Sequence, residues 1–222
     1  MNSKPAVQGF DISAHSAAII GCGGLGTNVA VHLAGAGIGR LLLWDFDEVE
    51  TRNLNRQFMY TADDAGKAKS LVLKNRIQAY APDCRVESVC VKIQTLAQLF
   101  SAKDFDIVIL AVDNVECRAI VSAFCEKEGI PYINGSVNAF FGTAMLCVPG
   151  KTATLEEAGG LEPPSGRQLS PSTTVGIIGA LEAKLAVNYF LNDSASCGIL
   201  YCYDGETIEA LPIKGGKGSD RL

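Results

Sequence analysis

A chain of 222 residues and 23.4 kDa can build one sizeable core and leaves little room for two full domains. Hydrophobic residues make up 48% and charged residues 19%, which excludes a disordered or low-complexity chain, and a net charge of −5 with a pI near 5.1 argues against general binding to a nucleic-acid backbone. The opening MNSKPAVQGF has neither the basic start nor the apolar stretch of a secretory signal, and no apolar run approaches the ~20 residues that span a bilayer. The expectation is a cytoplasmic protein with no membrane or nucleic-acid partner, its eight cysteines reduced and several of them core residues.

In chain order, AAII (17–20) reads as a strand feeding the turn GCGGLG, and TNVAVHLAGAG places small and apolar residues at helical spacing. LLLWD (41–45) is a second strand. A long polar link then runs to LVLKNRIQAYA, whose apolar residues recur at i, i+3 and i+4 as in a helix; an irregular link of that length is usually functional. RVESVCV (85–91) alternates like a half-buried strand, whereas FDIVILAVD (105–113) is continuously apolar like a central one. VECRAIVSAFCEKEG is a helix closed by Gly129, and PYINGS restarts a strand. FFGTAMLCV (140–148) is a further strand, followed by a crossover loop over 150–172, a late helix in TTVGIIGALEAKLAVNYFL, a hairpin turning at Asp204-Gly205, and a flexible tail over 214–222. Alternating strands and helices predict an α/β fold: a Rossmann-like, doubly wound, mainly parallel sheet, extended by C-terminal antiparallel strands within one domain over 1–222.

The turn GCGGLG (Gly21, Gly23, Gly24, Gly26) fits G-x-G-x-x-G between strand and helix, and Asp45 follows 19 residues beyond Gly26, at the end of the next strand. Glycines let a nucleotide approach the backbone, the helix N-terminus offers unpaired N–H groups, and a carboxylate at that distance can accept ribose hydroxyls. Dehydrogenases share the fingerprint. The link narrows the choice, because Arg52, Arg56, Lys67 and Lys69 gather basic charge beside the ribose-binding strand, interleaved with Asn53, Asn55 and Gln57. Hydride transfer has no use for such a cluster; a triphosphate under attack does, since charge develops on its oxygens. Asp113 ends the central apolar strand at the edge where ligands of open α/β sheets bind. Two readings stay open for it on position: a Mg²⁺ ligand and the N-cap of the following helix. His15 and His32 have no acid–base neighbour in sequence and read as surface or packing residues, and Trp44 and the methionines as core.

GCGGLG, DFDEVETRNLNRQF, GKAKS (66–70) and AVDN (111–114) occur in that order and together resemble the MoeB/ThiF/HesA family, relatives of ubiquitin-activating enzymes; GIIGALEAKLAVNYFL resembles the family's late helix. The resemblance implies that Asp45 binds the ribose of ATP, that Asn53, Arg56 and Lys69 contact phosphates, and that Asp113 binds Mg²⁺. Lys69, the second lysine of GKAKS, takes the motif position, and Lys67 does not. Arg56, Lys69 and Asp113 are the implied catalytic residues. Gly21, Gly23, Gly24, Gly26, Asp45, Asp47, Asn53, Gln57 and Asn114 make up the nucleotide-binding set.

The implied activity is adenylation of a carboxylate, most directly the C-terminal Gly-Gly of a ubiquitin-like sulfur carrier of the kind used in thiamine or molybdopterin biosynthesis, with release of pyrophosphate. A homodimer and a sulfur donor are the further implied partners. The chain also departs from the family. Zinc-bearing members carry two Cys-x-x-C pairs and none occurs here, so no zinc site is expected. No cysteine lies between Cys147 and Cys197, which argues against a covalent relay in the crossover loop, and no arginine precedes Arg40 to reach a partner subunit's ATP. Cys22, inside the glycine turn near a helix N-terminus, occupies a setting that lowers thiol pKa, although a small residue filling the turn explains it as well. Adenylation of a small-molecule or peptide carboxylate, and a nucleotide-binding scaffold without turnover, stay open beside the carrier reading.

Overall fold

The computed structural model describes residues 11–161, 171–193 and 196–213. The middle of the expected crossover loop, 162–170, and the expected tail, 214–222, lie outside the described residues. A single eight-stranded sheet has the order β3-β2-β1-β4-β5-β6-β7-β8. Its parallel part comprises β1 (Ser16–Ile20), β2 (Arg40–Trp44), β3 (Arg85–Val89), β4 (Ile107–Leu110) and β5 (Tyr132–Asn138). Three antiparallel strands extend it: β6 (Phe141–Cys147), β7 (Ile199–Tyr203) and β8 (Ile208–Pro212).

Helices α1 (Gly24–Ala36), α2 (Lys69–Tyr80) and α4 (Ser172–Phe190) cover one face; α3 (Val115–Glu128) and a 3-10 segment at Leu96–Ala102 cover the other. The two cores follow from strand alternation. Ile19, Leu41, Ile109 and Ile133 pack toward α1, α2 and α4, while Ala18, Leu42, Leu110 and Tyr132 pack toward α3. Every residue of β4 is buried, as its unbroken apolar run requires of a strand covered on both faces. Gly129 ends α3 in the left-handed conformation, as the sequence predicts. The 3-10 segment, lying in a stretch without clear periodicity, is an addition to the sequence reading.

Strand β1 pairs with both β2 and β4. The winding reverses there, so the loops leaving β1 and β4 diverge at the carboxyl edge of the sheet and open a crevice between them. Three sequence-distant segments meet at that edge: the glycine turn after β1, Asp45 after β2 and Asp113 after β4.

Candidate nucleotide site

The glycine turn is built by close contacts. Gly21 has φ +98°, and a Cβ there would lie 2.5 Å from the Ala111 carbonyl oxygen; a Cβ on Gly26 would lie 1.8 Å from the carbonyl oxygen of Gly21. These two glycines hold the turn against the end of β4 and against itself, so their requirement is internal packing. Gly24 packs against α4, where a Cβ would lie 2.7 Å from Val175 Cγ1, and Gly23 is the most open of the four, a Cβ there meeting only Gln57 Nε2 at 3.6 Å. Gly23 caps α1 without a side-chain hydrogen bond, and no acidic residue occupies the first turn, so the positive end of the helix is uncompensated.

Asp45 organises the turn from below. Its Oδ2 accepts the Cys22 amide at 2.7 Å and its Oδ1 accepts the Asp47 amide at 2.8 Å. Burial pushes its carboxyl above the ordinary carboxylate value, while those two amides and the Lys69 charge pull it down. Tyr60 donates to the Cys22 carbonyl at 2.8 Å and closes the turn from the side of the link.

The long link is folded back on itself. Val49 N donates to Lys67 O and Lys69 N donates to Asp47 O, a short antiparallel clasp around the Glu48–Ala68 bridge. A capping box at Thr61 and Asp64 anchors its far end, where Asp64 also receives Lys67 and Arg76. The clasp starts α2 at Lys69 and carries its ammonium to Asp47 Oδ2 at 3.0 Å, inside the site and only 5% exposed.

The four basic residues of the link therefore divide. Arg52 pairs with Glu50 at the surface, and Lys67, itself exposed, reaches the buried Asp64. Arg56 and Lys69 stay with the glycine turn: a Cβ on Gly24 would stand 3.4 Å from the Arg56 carbonyl oxygen and 3.5 Å from its Cγ. The Arg56 guanidinium is held by Asn53 Oδ1 at 3.1 Å and Asn55 Oδ1 at 3.1 Å. Gln57 is buried beneath the turn, its Nε2 3.6 Å from where a Cβ on Gly23 would stand and its Oε1 without a hydrogen-bond partner. That unpaired acceptor marks a place where a ligand donor fits.

Asp113 is exposed at the sheet edge, and its carboxylate has no hydrogen bond or ion pair among the described residues. The open question of its role in capping is resolved against it: Asn114 caps α3, its Oδ1 accepting the Cys117 amide at 2.7 Å. Asp113 is left free to bind something else, and Asn114, whose Oδ1 is spent on the cap, has only its amide NH₂ to offer a ligand. Of the two readings of Cys22, the small residue filling the turn agrees with the structure and the lowered thiol pKa does not. Cys22 is wholly buried, and burial together with the neighbouring Asp45 pushes its thiol up, outweighing the helix terminus. His32 is exposed, His15 stacks on Phe190 at 4.5 Å, and Trp44 is buried with its indole N–H on the Val91 carbonyl.

Sequence reasoning did not single out three polar residues near the second half of this edge. Arg118 on α3 donates to the Val112 carbonyl from Nε at 3.1 Å and Nη2 at 2.9 Å, and from Nη2 to the Gly135 carbonyl at 3.4 Å. Asn134 on β5 is 3% exposed with Oδ1 unpaired, and Glu182 on α4 is fully buried with both carboxylate oxygens unpaired. Arg118 and Asn134 line a cavity of about 180 Å³ on the α3 face of the sheet, roofed by Leu155 and Gly160 of the crossover segment and floored by Thr143 and Met145 of β6. The available signals were an asparagine in an apolar strand and a glutamate four residues after buried Ile178 on an apolar helix.

Among the described residues no cluster of three or more His, Cys, Asp or Glu could hold a metal ion, and no helix is long and apolar enough to cross a membrane. The ThiF family model matches residues 8–215. The chain is 29% identical over 217 residues to the sulfur carrier protein ThiS adenylyltransferase of Escherichia coli, covering 91% of this chain and 86% of that protein. It is 37% identical over 142 residues to the Bacillus subtilis protein of the same description, covering 63% of this chain and 42% of that one. It thus spans most of the first of these relatives and under half of the second. Among solved structures, Escherichia coli MccB with ATP superposes with a TM-score of 0.83 at 25% identity, covering 94% of this chain and 67% of MccB. The named relatives are adenylyltransferases of the ThiF/MoeB type, and by the family match over nearly its whole length this chain belongs to the ThiF family.

Proposed function

We propose that this protein uses ATP to adenylate the C-terminal Gly-Gly carboxylate of a ubiquitin-like sulfur carrier, releasing pyrophosphate. The observation that carries the reading is the pairing of Arg56 and Lys69 around an uncapped, glycine-opened helix N-terminus, three donors of positive potential at one sheet edge in an acidic protein. Family membership and the naming of relatives as ThiS adenylyltransferases support the same substrate class.

In this reading the α1 N-terminus and the Gly23–Gly24 backbone receive phosphate, Asp45 receives the ribose hydroxyls, and Asp47, Asn53, Gln57 and Asn114 complete the nucleotide contacts. The carboxylate oxygen attacks the α-phosphorus, a bond forms there, and the bond to the departing pyrophosphate breaks. Arg56 and Lys69 then neutralise charge as it moves to the leaving oxygens, which requires positioning and no proton-transferring histidine. Lys69 is well prepared for this: its ammonium is buried, held by Asp47, and need not reorganise. Asp113 fits Mg²⁺, an ion that keeps several waters and takes one or two carboxylates plus substrate phosphates. Bound there, Mg²⁺ would supply further charge neutralisation to the phosphates.

The acyl tail reaches this edge along the cavity beneath the crossover segment, which ends at Arg118 beside Val112. The reading includes a second copy of the chain and a sulfur donor or amine that takes the acyl group. A short acyl tail of another origin fits the same cavity, so adenylation of a small-molecule or peptide carboxylate is the second reading. ATP–pyrophosphate exchange, run with a Gly-Gly carrier and with a panel of small acids, decides: exchange dependent on the carrier is expected, and exchange driven only by a small acid replaces the first reading with the second. Tight NAD binding with no response to ATP refutes both.

A further inference from the structure

Two helices begin side by side at the nucleotide edge. Gly24 of α1 meets Val175 of α4, and a Cβ on Gly179 would lie 2.6 Å from Asn28 Cβ and 3.2 Å from the Leu25 carbonyl oxygen, so α1 and α4 run in the same direction with their first turns in contact. Arg56 joins them there, its Cγ 3.5 Å from where a Cβ on Gly24 would stand. Parallel neighbouring helix dipoles repel, and neither first turn carries an acidic residue to offset its positive end.

The start of α4 also holds unused donors. Pro171 at its N-cap has no side-chain group to cap with, and the first bond of the helix runs from Val175 N to the Pro171 carbonyl. The N–H groups of Ser172, Thr173 and Thr174 are thus left without an acceptor inside the helix. Thr174 is 1% exposed and its Oγ1 has no hydrogen-bond partner, although a buried hydroxyl normally finds one. Side chains of a helix lean toward its N-terminus, which aims this hydroxyl at the open end of α4, beneath half-buried Ser172 and exposed Thr173.

Building on the adenylation reading, we propose that the first turn of α4 seats the two terminal phosphates of ATP, the pair that departs as pyrophosphate: the N–H groups of Ser172 and Thr173 and the Thr174 hydroxyl donate to their oxygens across from Arg56, while the α1 N-terminus keeps the α-phosphate. A triphosphate offsets both helix ends at once and a monophosphate only one, so Thr174 is a residue that separates ATP from AMP.

Calorimetry on the full chain with Mg²⁺ present tests this with ATP, AMP and inorganic pyrophosphate. Wild-type protein is expected to bind ATP about tenfold or more tightly than AMP, and to bind pyrophosphate alone. Thr174→Val removes the hydroxyl and keeps the shape; it should weaken ATP and pyrophosphate by about tenfold, the scale of one hydrogen bond to a charged group, and leave AMP within about twofold. Because that hydroxyl has no partner in the fold, the thermal midpoint of the variant should hold or rise. Thr174→Ser should restore the binding. Thr173→Asp puts a carboxylate on the first turn, so it should raise the thermal midpoint by offsetting the dipoles and yet weaken pyrophosphate by about tenfold.

A Thr174 that only packs would shift the thermal midpoint on replacement by Val and leave the ATP-to-AMP ratio alone, and that result overturns the proposal. So does a wild-type protein that binds AMP as tightly as ATP. Adenylation fails separately: if the ATP preference depends on Thr174 but no acid or carrier supports pyrophosphate exchange, the phosphate seat stands and that reading falls.

Discussion

Glu182 offers a sharp test of the packing, because its two protonation states predict opposite results for one substitution. It is fully buried, neither oxygen has a hydrogen-bond partner, and burial pushes its carboxyl well above the ordinary value of 4.5, although Arg118 and the Gly135 amide pull the other way. A carboxyl raised in the native state keeps a proton that the unfolded chain releases. Stability is therefore intact below the unfolded value and falls as pH rises toward the raised native one. The slope in that window is at most about 1.4 kcal/mol per pH unit, so the cost accumulated by pH 7 is bounded at roughly 3 kcal/mol. Glu182→Gln is the neutral isostere and carries no such cost. Denaturant unfolding from pH 5 to pH 8 should show the variant nearly equal to wild type at the acid end and ahead by about 1–3 kcal/mol at pH 7, with unchanged m-values. An ionised Glu182 paired with Arg118 would instead make the variant weaker at pH 7 by about 3 kcal/mol or more, since an unpartnered buried guanidinium would be left behind. That outcome, or two parallel curves, refutes the reasoning.

Replacing Arg56 or Lys69 with Ala should lower pyrophosphate exchange by roughly 10²-fold, the scale of losing one preorganised donor. Folding should survive, because the Asp47 left behind is half exposed and stays solvated when its buried Lys69 partner is removed. Gly26→Ala forces a Cβ into the Gly21 carbonyl, so a drop in thermal midpoint accompanied by lost ATP binding in calorimetry is expected; a well-folded variant that binds ATP normally would show that the turn has slack. Asp113→Asn should raise the Mg²⁺ concentration needed for half-maximal exchange with little change in stability, because the exposed side chain makes no hydrogen bond or ion pair among the described residues. Elemental analysis of purified protein should find no stoichiometric zinc, and one zinc per chain would mean that distant cysteines converge.

How much was legible before the structure depended on whether a property is local. Strand alternation, the apolar run of β4, the late helix and the Asp204 hairpin are carried by neighbouring residues, and each was placed from periodicity or turn chemistry. The division of the basic cluster was not local. By charge and spacing Arg52, Arg56, Lys67 and Lys69 look equivalent, and only the motif resemblance set Arg56 and Lys69 apart; the physical reason is a long-range one, the clasp between 47–49 and 67–69 that turns Lys69 inward and leaves Lys67 to Asp64. Cys22 was legible in part: a small residue filling the turn agrees with its burial, whereas the Asp45 beside it and the complete burial, which outweigh the helix terminus visible in sequence, come from other segments. Arg118, Asn134 and Glu182 belong to three different elements, and only the packing of α3, β5 and α4 about Gly135 makes them a group.

The seat of the glycine turn has a consequence for how the chain folds. Gly21 rests on Ala111, and the Ala111 amide bonds to Ile20, so the turn reaches its working shape only when β4 has docked beside β1. These partners are some ninety residues apart, and the entropy of closing so large a loop must be met before the contact returns anything. On a growing polypeptide, β1, α1 and β2 can associate early, yet the nucleotide cradle cannot mature until β4 has cleared the ribosome. Refolding followed by a fluorescent ATP analogue should accordingly lag behind the recovery of helical circular dichroism.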